Sequence, residues 1–515
     1  MSLARNATAS QSPTQTNGYE RHQPDQTLLY QLVEQHYPAF KASLEAQGQH
    51  LPRYIQQEFN DLLQCGRLEY GFMRVRCEDC HHERLVAFSC KRRGFCPSCG
   101  ARRMAESAAL LIDEVFPKEP IRQWVLSFPF QLRFLLARHP QLMGQVLSIV
   151  YRTLSTHLIK KAGYTKASAQ TGSVTLIQRF GSALNLNVHY HMLFLDGVYA
   201  EDDYGKQRFH RVKAPTYDEL NTLAHTLTLS HRIARCMEKR GILERDAENT
   251  WLTLEEGEDD TLTQLHGASV TYRIAVGPQQ GRKVFTLQTL PGREDKADSS
   301  SRVANHAGFS LHAGVMAEAH QRDKLERLCR YISRPAVSEK RLALTANGQV
   351  RYELKTPYRN GTTHVIFEPL DFIAKLAALV PKPRVNLTRF HGVFAPNSKH
   401  RVQVTPAKRG KKPDKSEGLD TNWRDKSPAE RHRAMTWMQR LKRVFNIDIE
   451  VCEHCGGHVK VIASIEDPKV IEQILKHLKQ KTAKANAAKQ RELPPERAPP
   501  LTPSLFDPSQ SRLFD

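Results

Sequence analysis

Two pairs of cysteines near the N-terminus have the spacing of zinc ligands. Cys77 and Cys80 are followed, after fifteen residues, by Cys96 and Cys99. Each CxxC pair can direct two thiolates at one point, and two such pairs complete the tetrahedral shell of a zinc ion. Because four cysteines leave no coordination position open for a substrate, the spacing predicts one structural zinc site. Residues between the two pairs are alternative ligands: His81, His82 and Cys90.

A third pair, Cys452 and Cys455, has the form of half a zinc ribbon. Apolar, strand-like residues flank it on both sides, and His454 and His458 are possible further ligands. Three interpretations remain open for this pair: a second zinc site, a vestigial knuckle, or a site shared between two chains.

A histidine pair lies on a predicted strand. Leu184–Leu195 alternates in polarity, so His189 and His191 project from the same face. Two such imidazoles can chelate one divalent cation and leave positions open for water or phosphate oxygens. The alternative interpretation is a pair of surface histidines without a metal. His312 and Gln178 are candidates for a third ligand.

A tyrosine on a predicted helix is the candidate nucleophile. The apolar spacing of residues 325–332 predicts a helix that Pro335 ends, with Tyr331 at the edge of the apolar stripe. A phenol must lose its proton before it attacks, and neighbouring arginines or a metal favour the phenolate. The alternative is a tyrosine whose ring packs on the core.

The charge of the chain indicates a polyanionic partner. Its 515 residues include 75 Lys and Arg against 54 Asp and Glu, a net charge of +21 and a pI near 9.6. This excess favours nucleic acid, although a role in solubility alone is the other reading. Arginines beside the cysteines and the tyrosine are predicted to contact DNA: Arg92, Arg93, Arg102, Arg103, Arg330 and Arg334.

The composition also limits the class of protein. Hydrophobic residues make up 40% of the chain, which supports a packed core and excludes wholesale disorder. No stretch is long and apolar enough for a membrane helix, and the polar N-terminus does not resemble a signal peptide. We therefore expect a cytoplasmic protein with no membrane partner.

The elements that would hold these residues suggest seven segments along the chain. The predicted order is a disordered tail (1–26), a zinc-binding DNA-recognition domain (27–110), a nuclease domain (111–345) with an insertion at about 200–300, an α/β extension (346–405), a basic linker (406–426), a C-terminal helix with the CxxC knuckle (427–477) and a flexible tail (478–515).

Taken together, these motifs resemble the insertion-sequence-91-type transposases, which are HUH (histidine–hydrophobic–histidine) rolling-circle transposases. The runs that carry the resemblance are residues 89–103, 124–130, 189–191, 327–335, 361–370 and 389–397. The founding members of this family have two tyrosines four residues apart, but Arg327 stands four residues before Tyr331 here. The chain therefore resembles most closely the single-tyrosine insertion-sequence common-region group. How such a chain completes the second strand transfer stays open.

The resemblance implies an α+β fold. An HUH-type nuclease domain with a central antiparallel sheet, helices on one face and Tyr331 facing the metal would follow a helical zinc-binding module and precede a small C-terminal α/β region. It also implies that Tyr331 attacks single-stranded DNA at element ends, leaving a 5′-phosphotyrosine and a 3′-hydroxyl for rolling-circle transposition. His189 and His191 would hold catalytic Mg²⁺ or Mn²⁺, and the cysteines structural Zn²⁺.

Host proteins are expected partners as well. The chain has no GxxxxGK[ST] phosphate loop, so it would rely on a host helicase and polymerase at the bacterial nucleoid. Gln510, Leu513 and Phe514 near the C-terminus resemble a sliding-clamp-binding peptide, or match it by chance. The alternatives to a transposase are a zinc-dependent DNA-binding regulator without catalysis, and a plasmid replication initiator or relaxase with the same chemistry.

Overall fold

The computed structural model describes residues 17–18, 23–228, 231–245, 250–252, 261–291, 303–407, 447–448 and 450–492. Most of the predicted N-terminal tail and basic linker, the helix expected from residue 427, and the clamp-like peptide at Gln510, Leu513 and Phe514 lie outside these residues. No helix in the described part of the chain is long and apolar enough to cross a membrane.

The helices of the described residues are numbered in chain order. They are α1 (Leu28–Glu45), α2 (Arg53–Gln64), α3 (Pro97–Leu110), α4 (Phe130–Arg138), α5 (Pro140–Lys161), α6 (Tyr217–Thr228), α7 (His231–Glu238), α8 (Thr261–Val270), α9 (Arg322–Ile332), α10 (Pro369–Leu379), α11 (Arg401–Val404) and α12 (Pro468–Glu492). A π-helical turn, Leu111–Val115, continues α3.

The strands are numbered in the same way. They are β1 (Asn17–Gly18), β2 (Phe72–Cys77), β3 (Glu83–Ala87), β4 (Ile121–Ser127), β5 (Ala169–Gln170), β6 (Gly172–Phe180), β7 (Leu186–Leu195), β8 (Gly197–Glu201), β9 (Gln207–Arg211), β10 (Leu243–Arg245), β11 (Thr250–Leu252), β12 (Phe285–Gln288), β13 (Val303–His306), β14 (Phe309–Ala317), β15 (Leu342–Leu344), β16 (Val350–Glu353), β17 (Thr362–Phe367), β18 (Thr388–Gly392), β19 (Ile447–Asp448) and β20 (Val459–Ile465).

A six-stranded sheet carries the histidine pair. Its order is β13–β14–β4–β7–β6–β18, and every neighbouring pair of strands is antiparallel. The histidine strand β7 lies in the interior of the sheet, between β4 and β6. The predictions of a mixed α and β architecture with antiparallel sheets, and of a strand at His189 and His191, are confirmed.

Helices cover both faces of this sheet. Tyr190 of β7 points into an apolar core formed with α4, α5 and α6, whereas Leu193 points into a second core formed with α3, the π-helical turn and α9. The prediction of helices on one face only is therefore wrong. The physical reason is that β7 is apolar on both sides beyond its histidines, so each side must be covered.

Long-range strand pairing changes the predicted domain boundaries. β18 comes from the predicted extension but pairs with β6 of the central sheet. β12, from the predicted insertion, pairs with β17, and β15 pairs with β16 across the expected boundary at residue 345. Strands of residues 346–405 thus complete sheets that earlier segments begin.

A strand near the C-terminus also pairs with a strand near the N-terminus. β2 pairs with β3 on one side and with β20 on the other, so a C-terminal strand belongs to the N-terminal module. α12 follows this strand and runs to Glu492, beyond the boundary at residue 478 expected for a tail.

Candidate active site and metal centres

The two histidines of β7 hold their ring nitrogens close together. The His189 Nε2 and His191 Nε2 atoms lie 3.1 Å apart. Two nitrogens at about 2.1 Å from one cation and at right angles around it would be separated by about 3.0 Å. The side chains therefore already have the spacing that a shared divalent cation needs.

Hydrogen bonds orient both imidazoles. The Nδ1–H of His189 donates to the carbonyl oxygen of Asn187 over 2.8 Å, which leaves the Nε2 lone pair free for a metal. The side-chain amide nitrogen of Gln123 lies 2.7 Å from Nδ1 of His191. An N–H of this amide donates to Nδ1, which fixes the orientation of the His191 ring.

Burial keeps the histidine pair neutral. It lowers the pKa of His189 to about 4, with smaller contributions from the charges of Arg334 and Arg133. Burial likewise lowers the pKa of His191 well below its usual value, helped by His189 and Arg334. Neutral imidazoles are the form that binds metal, so the pair is in the protonation state that metal binding requires at neutral pH.

Gln178 supplies an oxygen beside the histidines. It lies on β6 directly opposite His189, and its buried side-chain oxygen has no hydrogen-bond partner. His312 is on the same face, but Val125 of β4 lies between it and His191 in the sheet, which puts it two strand spacings, about 10 Å, away. Of the two candidates for a third ligand, Gln178 is the neighbour of the pair, and an oxygen ligand suits Mg²⁺ or Mn²⁺.

Tyr331 is carried on α9, which packs on the histidine face. Leu325, Cys329 and Ile332 are buried against that face of the sheet. The Gln178 amide nitrogen donates to the carbonyl oxygen of Ile332 over 2.5 Å, which ties the end of α9 to the strand beside the histidines. The Tyr331 side chain stays 40% exposed, so its hydroxyl can meet a substrate.

Two cations act on the tyrosine. The Arg334 guanidinium lies 4.3 Å from the centre of the Tyr331 ring, and the Lys355 ammonium lies 3.8 Å from it. Partial burial by itself raises the pKa of Tyr331, but the charges of Arg334 and Lys355 outweigh it, and the net pKa is below the usual value. The site therefore favours the phenolate, and Lys355 is a contributor that sequence motifs did not reveal.

A basic cavity of about 360 Å³ opens beside the tyrosine. Tyr331 and Tyr358 line it together with Arg334, Arg341 and Lys355. A neighbouring cavity of about 300 Å³ is lined by Gln178 and Arg334 and also by Arg92, Arg93 and Arg103 of the zinc module. The tertiary structure thus brings part of the N-terminal module next to the histidine and tyrosine face.

The six arginines predicted to contact DNA occupy different settings. Arg92 pairs with Asp61, Arg102 with Glu106 and Arg330 with Glu326. Arg93, Arg103 and Arg334 donate to backbone carbonyl oxygens, and the acceptor for Arg334 is the carbonyl oxygen of Tyr331. Arg92, Arg93, Arg103 and Arg334 converge on one cavity, whereas Arg102 and Arg330 do not line it.

The predicted grouping of Cys77, Cys80, Cys96 and Cys99 in one site is wrong. Eight cysteines form two clusters, and within each cluster all sulfur atoms lie within 4.8 Å of one another: Cys65, Cys90, Cys96 and Cys99 in the first, and Cys77, Cys80, Cys452 and Cys455 in the second. The reason is the β2–β3 hairpin, which carries Cys77 and Cys80 away from the start of α3, where Cys96 and Cys99 lie.

The first cluster is assembled by the ends of two helices. Cys65 directly follows α2, Cys96 directly precedes α3 and Cys99 lies in its first turn, while Cys90 comes from the loop between β3 and α3. The Cys65–Cys99 and Cys65–Cys96 sulfur distances are both 3.7 Å, close to the ~3.8 Å expected around one tetrahedral zinc ion. Cys65 lacks a CxxC partner, and only the number of cysteines between 65 and 99 pointed to it.

Comparison with family models now identifies the class of protein. The "Transposase zinc-binding domain" model of insertion-sequence-91 type matches residues 32–128, and the model described as "Putative transposase" matches residues 172–401. Together they cover more than half of the chain, and the chain belongs to the insertion-sequence-91-type transposases.

The matched ranges agree with the two kinds of site. The first cysteine cluster lies wholly within the zinc-binding match, which supports zinc as a structural cofactor of this transposase. The second match contains His189, His191 and Tyr331. No curated protein and no solved structure matches the chain.

Proposed function

We propose that this transposase is a metal-dependent tyrosine nuclease and strand transferase of the HUH type, which nicks single-stranded DNA at the ends of its element. The observation that carries the proposal is the histidine pair at 3.1 Å beside the helix of a tyrosine that two cations activate. A DNA-binding regulator would have no need of this combination.

Tyr331 is the nucleophile in the proposed reaction. Its oxygen bonds to the phosphorus of the scissile phosphate while the bond from phosphorus to the 3′-oxygen breaks. The phenol gives up its proton and the departing 3′-oxygen gains one, so the products are a 5′-phosphotyrosine and a 3′-hydroxyl. Arg334 and Lys355 lower the cost of forming the phenolate, because they hold positive charge against the ring.

His189, His191 and Gln178 are the proposed ligands of the catalytic cation. The two imidazoles contribute nitrogens, and Gln178 contributes its unpartnered oxygen. A bound Mg²⁺ or Mn²⁺ would polarise the scissile phosphate and offset charge that develops on it. The helix of Tyr331 is held to this group by the hydrogen bond between Gln178 and Ile332.

The basic cavities are the proposed path of the DNA backbone. Arg92, Arg93, Arg103 and Arg334 line the same cavity beside Gln178, which would provide positive charge for the phosphates of a strand. The zinc module and the nuclease sheet would then bind the same DNA strand. Arg341 and Lys355 extend the positive lining past Tyr331.

The test is formation of a covalent protein–DNA adduct. Purified protein is mixed with single-stranded oligonucleotides that carry the element's end, with and without Mn²⁺, and run on a denaturing gel. We expect an adduct that needs the metal and disappears in Tyr331→Phe. Tyr358→Phe is the matched control, because Tyr358 lines the same cavity as Tyr331.

Two outcomes would overturn the proposal. An adduct that persists in Tyr331→Phe but is lost in Tyr358→Phe would identify the wrong tyrosine. Intact DNA binding without an adduct, under all metal conditions, would favour a regulator or an inactive transposase. A relaxase or replication initiator would instead form the adduct on plasmid-origin DNA and not on element ends.

A further inference from the structure

The second cysteine cluster joins segments that are far apart in the chain. The Cys77 and Cys455 sulfur atoms lie 3.5 Å apart, as do those of Cys80 and Cys452. One CxxC pair comes from the β2–β3 hairpin, and the other from the turn before β20. The second CxxC pair that the C-terminal knuckle lacked in sequence is therefore supplied by the N-terminal module of the same chain.

We infer that Cys77, Cys80, Cys452 and Cys455 bind one zinc ion, which clasps the C-terminal segment to the N-terminal module. Four thiolates around a point, with all sulfur atoms within 4.8 Å, are the ligand set of a closed structural zinc site. This site lies partly outside the matched zinc-binding domain and is independent of the proposed nuclease chemistry.

The two knuckles fit against each other closely. The Glu78 amide donates to the carbonyl oxygen of His458 over 2.9 Å. A Cβ on Gly457 would lie 2.0 Å from a carboxylate oxygen of Asp79, so this position has little room for a side chain. The Gly457 amide also donates to the Cys455 sulfur over 3.4 Å, as amides of metal knuckles do. The two knuckles thus contact each other directly beside the four sulfur atoms.

The apolar core shared by the two segments is small. Among the described residues it contains Val75, Cys77, Val86, Cys452 and Val459, with Met73 packed against it. Small units with so little buried apolar surface usually need a metal or a disulfide. The cysteines that the clasp joins are 372 and 378 residues apart in sequence. Closing so long a loop costs more entropy than closing a short one, so the clasp offsets a larger cost.

The clasp determines where α12 lies. β20 is paired with β2 along its length, and α12 then lies against the turn Leu68–Tyr70 with Ile471 buried. A groove of about 730 Å³ separates α12 from the hairpin and is lined by Arg74, Arg76, His81, His82 and His477, among others. Removing the metal should free β20 and α12 together and open this groove.

The first experiment counts zinc in the full-length protein. Elemental analysis should give two zinc ions per chain for the natural sequence and one for the Cys452→Ser, Cys455→Ser double variant. Cys236→Ser, which alters a cysteine outside both clusters, should retain two. Two zinc ions in the double variant, or one in the natural sequence, would contradict the clasp.

The second experiment tests the clasp without changing a cysteine. A recognition site for a specific protease is inserted within residues 408–446, and the full chain is cut there. The C-terminal fragment should stay bound through size-exclusion chromatography and leave when a chromogenic chelator removes the first zinc equivalent. That equivalent should come from the clasp, because Cys80 and Cys455 are exposed while three cysteines of the first cluster are buried.

Three results would overturn the inference. Release of the fragment while both zinc ions remain would show that the metal does not hold it. A fragment that survives denaturation until a reductant is added would mean disulfides rather than zinc. A zinc-dependent dimer that dissociates in the double variant would place the two knuckles on different chains.

Discussion

The cysteine clusters and the histidine pair are both suited to metals, but they differ in how much of the coordination shell the protein supplies. Each cluster provides four sulfur ligands and leaves no position for a substrate. In the proposed catalytic site, the histidine pair would provide two nitrogens and Gln178 an oxygen, so positions would remain for phosphate oxygens. Closed shells stabilise structure, whereas open ones can take part in chemistry.

The difference also follows from where the ligands lie. The cysteines come from helix ends, hairpins and turns, and their metal would hold those irregular segments together. The histidines lie on an interior strand whose neighbours β4 and β6 fix it by hydrogen bonds. The sheet therefore needs no cation to keep its shape, so the proposed cation would be free to serve the proposed reaction.

The largest effect should come from opening the first cluster. In Cys99→Ser we expect loss of one zinc ion and unfolding of the N-terminal module, because structural zinc contributes on the order of 10 kcal/mol of apparent binding free energy. Metal analysis and thermal unfolding measure this. Cys236→Ser is the control, and an unchanged melting profile in Cys99→Ser would remove the structural role.

The next effect should separate chemistry from stability. His189→Ala should reduce adduct formation by at least about 10³-fold and leave the zinc content and melting temperature nearly unchanged, since the strand is held by its neighbours. His312→Ala, on the same sheet face but two strands away, should keep the activity. A large loss of stability in His189→Ala would mean that this site is structural as well.

A smaller effect tests whether the open site includes an oxygen ligand. Gln178→Ala should raise the Mn²⁺ concentration needed for half-maximal adduct formation by about 10–100-fold, with rescue at high metal. Gln178→Glu keeps an oxygen but loses the donor to Ile332. If Gln178→Glu is as impaired as Gln178→Ala, then Gln178 acts by positioning α9 and not as a ligand.

The smallest effect concerns the pH dependence. The Lys355 charge lowers the pKa of Tyr331, so Lys355→Met should raise that pKa and move the rising limb of the pH–rate profile to higher pH. At neutral pH the adduct should form up to about tenfold more slowly, and the difference should vanish in alkali. Lys324→Met, at the exposed start of α9, is the control. A uniform loss at every pH would indicate a role in DNA binding instead.

Local patterns were enough to predict the elements that carry the candidate residues. The alternation around His189 and His191 predicted a strand with both imidazoles on one face, and the apolar spacing before Pro335 predicted the helix of Tyr331. The resemblance to the insertion-sequence-91-type transposases was confirmed by the family models. These features depend on residues within one or two turns of backbone, where side-chain period is set by the element itself.

Which residues meet across the chain was decided by the tertiary structure. CxxC spacing identifies a knuckle but not its partner, so Cys77 and Cys80 were grouped with Cys96 and Cys99 instead of with the pair at 452 and 455. Lys355 joined the candidate site only when α9 and the segment after β16 came together, and strand register placed Gln178, and not His312, next to the histidine pair. Sequence by itself determined the types of ligand and the elements that carry them. Their pairing arose from strand register and packing between distant segments, which no local period encodes.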